Sequence, residues 1–589
     1  MVTIGLPVFM LGRPTIAQQQ AKAVAGLKRD GGSMALGLDT GTARRSTGWR
    51  MRLPATHRVA WLFLHQTTWA QLLLMAGLPA LVGAWLLLSP ERVLSRAMTW
   101  DLLFNLTGAW GLHNGLVPHV DYHDPVGVLS IVLTTLGFHI VGPSPHAVIV
   151  GEEIFLVFAF AAACLSAKNR LPPLAAVLFV LYAALLVLLP TNIGDKPNNY
   201  SFAMSYNRWG WSVLSTLCLI LFLPPRSDRH RSWTDVVTGA LLLLVMFYLK
   251  ITFFAAGLVA VAAAIGLMPH IRAAWRLWAL SAALVLANAI APYNHAYLTD
   301  LWQASRSGYA RVDWGDQIRS FLVNKAEYAL YVGGIVVLLW LWRCGRAPLQ
   351  AALAAAFLFC LGLFVLSQNT QPGTVPLGIV IVLLVYDAAQ AGSRNVTMPR
   401  EAATIPRLTA ILVFPLFSVA AAAISVAGYH MTARHNQAVL AVDQTNLRGL
   451  AVPSDDEEPY LLKVNGRAPA EGPSEGSQAV YVQALLEAAS LFADGRHGRP
   501  RLMAADQLNP LPFIVGLPPP RGANLWSYPG APDRTAEEVY GEADYVLIPK
   551  FAIVRIASAP ALADYDKYLS KNFVVAEETR YWTVLVRRR

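Results

Sequence analysis

The sequence predicts an all-α polytopic membrane bundle of about eleven spanning helices, followed by a small α/β domain, from three observations. The 589 residues are 55% hydrophobic and only 14% charged, and the mean hydropathy of +0.43 exceeds what a chain with a water-facing surface tolerates. Apolar residues come in uninterrupted blocks, such as Ala351 to Leu366 and Leu408 to Ala427, long enough to cross roughly 30 Å of hydrocarbon as helix. Helix is the economical form there, because backbone groups in lipid must satisfy each other. Finally, the basic residues fall in alternate short loops.

In chain order, residues 1–57 carry Arg44, Arg45, Arg50 and Arg52 and read as a disordered cytoplasmic tail. The apolar run Ile4 to Leu11 is short and lacks a basic flank before it, so it does not read as a signal peptide. Residues 58–427 form the membrane domain. Its expected spans are Trp69–Leu88, Ala147–Ala167, Leu171–Leu189, Tyr206–Leu223, Thr234–Leu249, Thr252–Leu267, Leu277–Pro292, Glu327–Trp342, Leu349–Leu366, Val375–Ala389 and Leu408–Ala427. Basic clusters at Lys168/Arg170, Arg226/Arg229/Arg231, Arg272/Arg276, Arg343/Arg346 and Arg394/Arg400/Arg407 then all lie on the cytoplasmic side. A net charge of +11 is thereby accounted for without nucleic acid. Val126–Val141 is also apolar, but a crossing there would reverse every later loop. It reads as a helix lying along or dipping into the outer face, between Pro125 and Pro143.

This topology places the chain in the inner membrane, with a cytoplasmic N-terminus and residues 428–589 in the periplasm. That last region mixes Pro-rich stretches with strand-like runs at Tyr545–Ile548 and Trp582–Val586. It contains no cysteine; Cys164, Cys218, Cys344 and Cys360 all lie in or beside apolar stretches and read as packing residues.

Three outer loops, 89–146, 190–205 and 292–326, exceed what a passive bundle needs. The first concentrates Asp101, His113, His119, Asp121, His123 and Asp124 against an apolar wall, a setting that shifts pKa values and suits general base chemistry. The bland alternatives are that Asp101 caps the helix after it and that Asp121 and Asp124 are turn residues. His119, Asp121 and His123 alternate and could face one side of an extended strand. That is a weak metal signal, so no metal site or cofactor is assigned and a divalent cation is left as an option. Glu152 and Glu153 start the second span, where simple solvation at a helix N-terminus explains them slightly better than function does. In the third loop Arg306, Arg311, Arg319 and Lys325 depart from the charge rule, interleaved with Tyr293, Tyr297, Trp302, Tyr309 and Trp314. Arginine forks suit a lipid phosphate, although an ordinary aromatic belt meeting headgroups of membrane lipids fits equally. Lys250 interrupts the apolar MFYLKITFF and either snorkels or meets an anion.

The early loop carries an Asp (Asp101), then Gly115 to Pro118, Asp121 with Tyr122, Pro125 to Gly127, and Gly142 with Ser144. With the many-helix body and periplasmic tail, this pattern resembles the GT-C superfamily of polyprenyl-phosphate-sugar-dependent glycosyltransferases, in detail over the first third of the chain. Leu102 stands where many members carry a second acid, and Val126 where a second proline is common. The resemblance implies a polyprenyl-phosphate-linked sugar donor, a periplasmic acceptor (glycolipid, polysaccharide or protein), inverting transfer, and Asp101 as general base. Asp121, His123, Asp124, Lys250, Arg306 and Arg311 are then candidates for substrate binding. The three cations among them are inferred from location and not from a family motif. A lipid-linked glycan polymerase or ligase would lean on Arg306 and Arg311 instead. A transporter would place charges near the midplane of two related halves, and no internal repeat is visible. A non-catalytic relative would tolerate loss of Asp101.

Overall fold

Helices fill the apolar blocks because each offers its backbone no partner but itself. The computed structural model describes residues 66–195, 197–226, 232–306, 315, 322–368, 374–394, 401–435, 439–442, 445–453, 478–527, 534–550 and 565–589. The expected tail at 1–57 lies outside them. In order come α1 (Trp69–Leu88), β1 (Val93–Leu94), α2 (Thr99–His113), α3 (Leu129–Val141), α4 (His146–Lys168), α5 (Pro173–Leu188), α6 (Ser205–Phe222), α7 (Ser232–Leu249) and α8 (Ile251–Leu267). They are followed by α9 (Trp275–Ala289), α10 (His295–Arg306), α11 (Lys325–Arg343), α12 (Leu349–Ser367), α13 (Gly378–Arg394) and α14 (Glu401–His435). The last region holds β2 (Val439–Val442), β3 (Leu450–Pro453), α15 (Gln478–Ser490), β4 (Leu502–Ala504), β5 (Tyr545–Pro549), β6 (Phe573–Glu578) and β7 (Trp582–Arg587).

The chain is a multi-pass membrane protein. Among the described residues six helices are singly long and apolar enough to cross a membrane: α1, α4, α7, α11, α12 and, within α14, Ile411–His435. The pair α9 and α10 makes a seventh candidate, bent by 59° at its break. The other expected spans fall on helices that are apolar but shorter, such as α5 and α8, or that carry polar residues in their first turns, as α6 does with Asn207 and Arg208. Helix α3 has 13 residues, about 20 Å at 1.5 Å per residue, short of the hydrocarbon thickness. Gly142, with φ of 79°, ends it, and α3 then packs along α4. A Cβ on Gly137 would lie 2.2 Å from the Ala147 carbonyl oxygen, so the approach of the two helices depends on that glycine.

The end of the bundle bearing the three long loops is where the C-terminal residues attach. Helix α14 runs without interruption past position 428 to His435. β1 from the first loop pairs in parallel with β3, and β3 is antiparallel to β2. The tail therefore completes a sheet begun in the first loop. A second, mixed sheet has the order β4-β5-β7-β6, with α15 against it and the Trp582 Nε1–H donating to Ala484 O at 2.7 Å. At the opposite end, buried Arg170 pairs with Asp235 and donates to Leu223 O and Ser166 O, tying α4 and α5 to α6 and α7.

Candidate active site

Asp101 lies in the first turn of α2, directly after Met98, whose φ of 49° makes it a left-handed residue that supplies no side-chain cap. The start of α2 is buried, and its first backbone N–H is satisfied from far away in sequence. Gln478 at the head of α15 accepts the Thr99 backbone N–H at 2.9 Å, and the Thr99 and Ser95 hydroxyls bond at 2.9 Å. Asn192 of the second loop contacts the Met98 sulfur at 3.8 Å, and the Arg96 N–H donates to Tyr200 O at 2.6 Å. First loop, second loop and tail thus converge on the turn that presents Asp101. Burial pushes the Asp101 carboxyl up to about 7. A carboxyl balanced near neutrality is matched to taking a proton from a hydroxyl.

The remaining first-loop candidates divide into two groups. Asp121 behaves as a turn residue: its carboxylate accepts the Val117 N–H at 2.7 Å and lies 3.5 Å from Arg521. His119, His123 and Asp124 turn away from it toward Asp300 of α10. Asp300 Oδ2 meets His119 Nδ1 at 2.9 Å, and Asp300 Oδ1 lies 2.7 Å from His123 Nδ1. The Asp124 N–H donates to Asp300 at 3.0 Å. The alternation of His119, Asp121 and His123 on one side of an extended strand does not occur, because His119 takes φ of 66° and breaks the run. Asp300 is 3% exposed; against its own burial, the bonds from His119, His123 and the Asp124 N–H hold it below the usual carboxylate range. Asp124 is fully buried, and burial raises it to about 7, with His119 and the Val126 N–H opposing. This is a structural clamp between the first and third loops, reinforced by the Tyr297 hydroxyl donating to Phe247 O at 3.1 Å.

Lys250 sits between α7 and α8, where its ammonium donates to Asn207 Oδ1 at 3.0 Å and lies 5.2 Å from the Tyr206 ring centroid. Burial lowers it to about 7. The first loop reaches this junction directly: Gly127 N–H donates to Leu249 O at 3.3 Å, and a Cβ on Gly127 would fall 2.2 Å from Tyr248 O. Beside Asn207, fully buried Arg208 pairs with Glu152 Oε1 at 2.8 Å. The bland reading of Glu152 as a solvated helix-start acid therefore does not hold; it is 0% exposed. Arg306 stacks on Trp302 with its guanidinium 4.4 Å from the ring centroid, on the exposed surface of α10. Arg311 lies outside the described residues.

Sequence reasoning missed Asp300, Gln478 and the Glu152–Arg208 pair. Arg208 carried a usable signal, an arginine inside an apolar helix, which its position near a loop obscured. Asp300 and Gln478 carried none, since each acts on a partner more than 170 residues away.

No protein-family model matches this chain, and no curated protein matches it. Among solved structures it is similar to ArnT from Cupriavidus metallidurans in the apo state, at 12% identity over 88% of this chain and 97% of that one, with a TM-score of 0.45. It is similar also to the same protein bound to undecaprenyl phosphate, with 12% identity, 88% and 98% coverage and a TM-score of 0.44. A third likeness is to the archaeal oligosaccharyltransferase AglB from Archaeoglobus fulgidus in complex with an inhibitory peptide and a dolichol-phosphate. There the identity is 10%, the coverage 82% and 69%, and the TM-score 0.40. These are loose likenesses, and the functional reading rests on this chain's own residues.

Proposed function

We infer that the protein is a membrane glycosyltransferase of GT-C type, moving a sugar from a polyprenyl-phosphate donor to a hydroxyl of a periplasmic acceptor, with Asp101 as general base. The observation that carries this reading is Asp101 itself. It is an acid raised to about 7, fixed at the start of α2 by two loops and the tail, at the end of a membrane bundle where a lipid-borne donor would present its head. In this reading about eleven crossings, several by the shorter helices, put that end in the periplasm, with residues 428–589 on the same side.

The acceptor hydroxyl gives its proton to Asp101 as its oxygen bonds to the sugar's anomeric carbon. The bond from that carbon to the phosphate oxygen breaks on the opposite face, and its electron pair stays on the lipid phosphate. Charge accumulating there needs a fixed cation. Lys250, held at a helix junction by Asn207, is better supported for this task than Arg306, whose side chain lies on the protein's exterior against Trp302. His123 and Asp124 act through the clamp on Asp300, as supports of the loop and not as substrate contacts. A base of this kind contributes about 10²- to 10⁴-fold. The test is transfer from a radiolabelled polyprenyl-phosphate sugar in an extract containing candidate acceptors: Asp101→Asn should lose activity by that factor while retaining the wild-type melting temperature.

A further inference from the structure

A cleft lies between the second half of α2 and the tail, beyond the turn that presents Asp101. Its apolar walls are Leu116 and Tyr122 of the first loop and Met503, Pro519, Pro520 and Leu525 of the tail. Backbone bonds hold the tail there. Asp121 O accepts the Gly522 N–H at 2.7 Å, the His123 N–H donates to Ala523 O at 3.2 Å, and the Leu525 N–H donates to His123 O at 2.9 Å. The Trp110 indole N–H adds a bond from α2 to Leu517 O at 2.8 Å. Counting its open mouth, the cleft holds about 390 Å³, and none of the described residues that line it carries a charge.

Besides the Tyr122 hydroxyl, which donates to Gly108 O at 3.4 Å, the polar side chains lining the cleft are Thr107, Asn509 and Asn524. Asn509 is used within the tail: its Oδ1 accepts the Ala504 N–H at 3.0 Å and its Nδ2 donates to Leu502 O at 2.9 Å. Thr107 Oγ1 and Asn524 Oδ1 are buried and have no partner among the described residues. The state of Thr107 is unusual. A threonine inside a helix can turn its hydroxyl back to the carbonyl four residues earlier, and Thr134, Thr135, Thr216, Thr299 and Thr432 all do so at 2.8 to 2.9 Å. Thr107 does not. Buried polar groups are almost always bonded, so two unpaired ones lining one cleft mark it as a place where a ligand supplies the partners.

The atoms left unpaired specify the chemistry of that ligand. Asn524 Oδ1 only accepts, and the Thr107 hydroxyl is free to donate, so the ligand offers one donor and one acceptor side by side. Its remaining atoms meet apolar walls with no counter-charge, which makes a charged group costly there. An acetamido group matches: its N–H donates to Asn524 Oδ1, its carbonyl accepts from Thr107, and its methyl fills the apolar space. We propose that the cleft between α2 and residues 503–525 binds the N-acetyl group of an amino sugar within a glycan acceptor, with Thr107 and Asn524 as the specificity-determining contacts. The proposal rests on the glycosyltransferase reading and adds the class of acceptor to it. Thr107 and Gly111 line the cleft six and ten residues beyond Asp101, about 9 and 15 Å along the helix. The N-acetyl unit is therefore held apart from the unit whose hydroxyl reacts, where binding a remote part of the substrate positions the rest.

The experiment is calorimetric titration of the full chain in detergent with chitotriose and three controls. These are cellotriose, which has hydroxyls in place of the N-acetyl groups, the free-amine form of chitotriose, and a neutral serine-containing peptide, whose amides lack the terminal methyl. Chitotriose should bind at least about tenfold more tightly than each control. Thr107→Val and Asn524→Leu should each abolish that preference, and Thr107→Ser, which restores the hydroxyl, should keep it. Equal binding of cellotriose or of the peptide, no binding of chitotriose, or a preference that survives both substitutions overturns the inference. The comparison of probes on the wild type decides the matter even where a substituted chain fails to fold. In transfer from a polyprenyl-phosphate sugar, chitotriose should be glycosylated or should compete with the acceptor in the extract. Transfer indifferent to saturating chitotriose would overturn the acceptor role and leave the glycosyltransferase reading standing. Binding of chitotriose with no transfer to any acceptor would sink that reading and the acceptor role with it.

Discussion

Asp101 and Lys250 are each displaced toward neutrality by burial, in opposite senses. The Asp101 carboxyl rises to about 7 and the Lys250 ammonium falls to about 7. A base must be ionised, so transfer should weaken as pH drops below that value. A phosphate-binding cation must be protonated, so transfer should weaken again as pH climbs above it. A narrow bell centred near pH 7 is therefore expected. Lys250→Arg, whose guanidinium stays charged, should flatten the alkaline limb while the acid limb remains, and a pH–rate profile of the variant checks this. An unmoved alkaline limb would remove Lys250 from the account. Lys250 was legible in the sequence as a single charge in an apolar run, because a charge is costly there whatever the fold, whereas Asp101 was singled out from the other acids of its loop by the resemblance to the GT-C pattern. Asn207, which binds Lys250, and Gln478, which binds the Thr99 N–H at the start of the same helix as Asp101, were not, since a lone amide is common anywhere.

At the scale of elements, two contacts decide where α2 and α3 sit. Gln478 takes the place of a local N-cap for α2, because Met98 offers no oxygen. Gln478→Leu should cost about 1 kcal/mol through the unpaired Thr99 N–H. It should also slow transfer more than the stability loss explains, measured as a melting temperature and a rate on the same sample. Asp300 joins α10 to the first loop through two histidines and a backbone N–H. Breaking a buried pair of this kind by Asp300→Leu should cost about 3 kcal/mol, and protease cleavage within the first loop should rise accordingly; cleavage at the wild-type rate would refute the clamp. The expected helix at Val126–Val141 was readable from its bounding prolines and emerged as Leu129–Val141. Its close seat on α4 was not readable, because Gly137 reveals its role only when the Ala147 carbonyl is seen beside it.

For the whole molecule, hydropathy and loop charge conveyed the helical body, and the strands at Tyr545 and Trp582 were visible as short β-branched and aromatic runs. Which helices reach across the bilayer was harder to read, since α5, α6 and α8 are short or polar at one end and depend on neighbours to bury them. The joining of the tail to the first loop through β1 and β3 was invisible, because a two-residue strand has no periodicity. Orientation has a direct check in Cys344, which is exposed beside the basic Arg343 and Arg346. A membrane-impermeant thiol reagent should label it in inverted vesicles and not in intact cells; the reverse pattern would put the long loops in the cytoplasm. The most direct test of the central claim is sugar transfer from a polyprenyl-phosphate donor by wild type, Asp101→Asn and Asp101→Glu, at matched folding. The account predicts transfer by wild type, a loss of about 10²-fold or more in Asp101→Asn, and partial return in Asp101→Glu, whose carboxylate can still take the proton. Equal transfer by wild type and Asp101→Asn would contradict it.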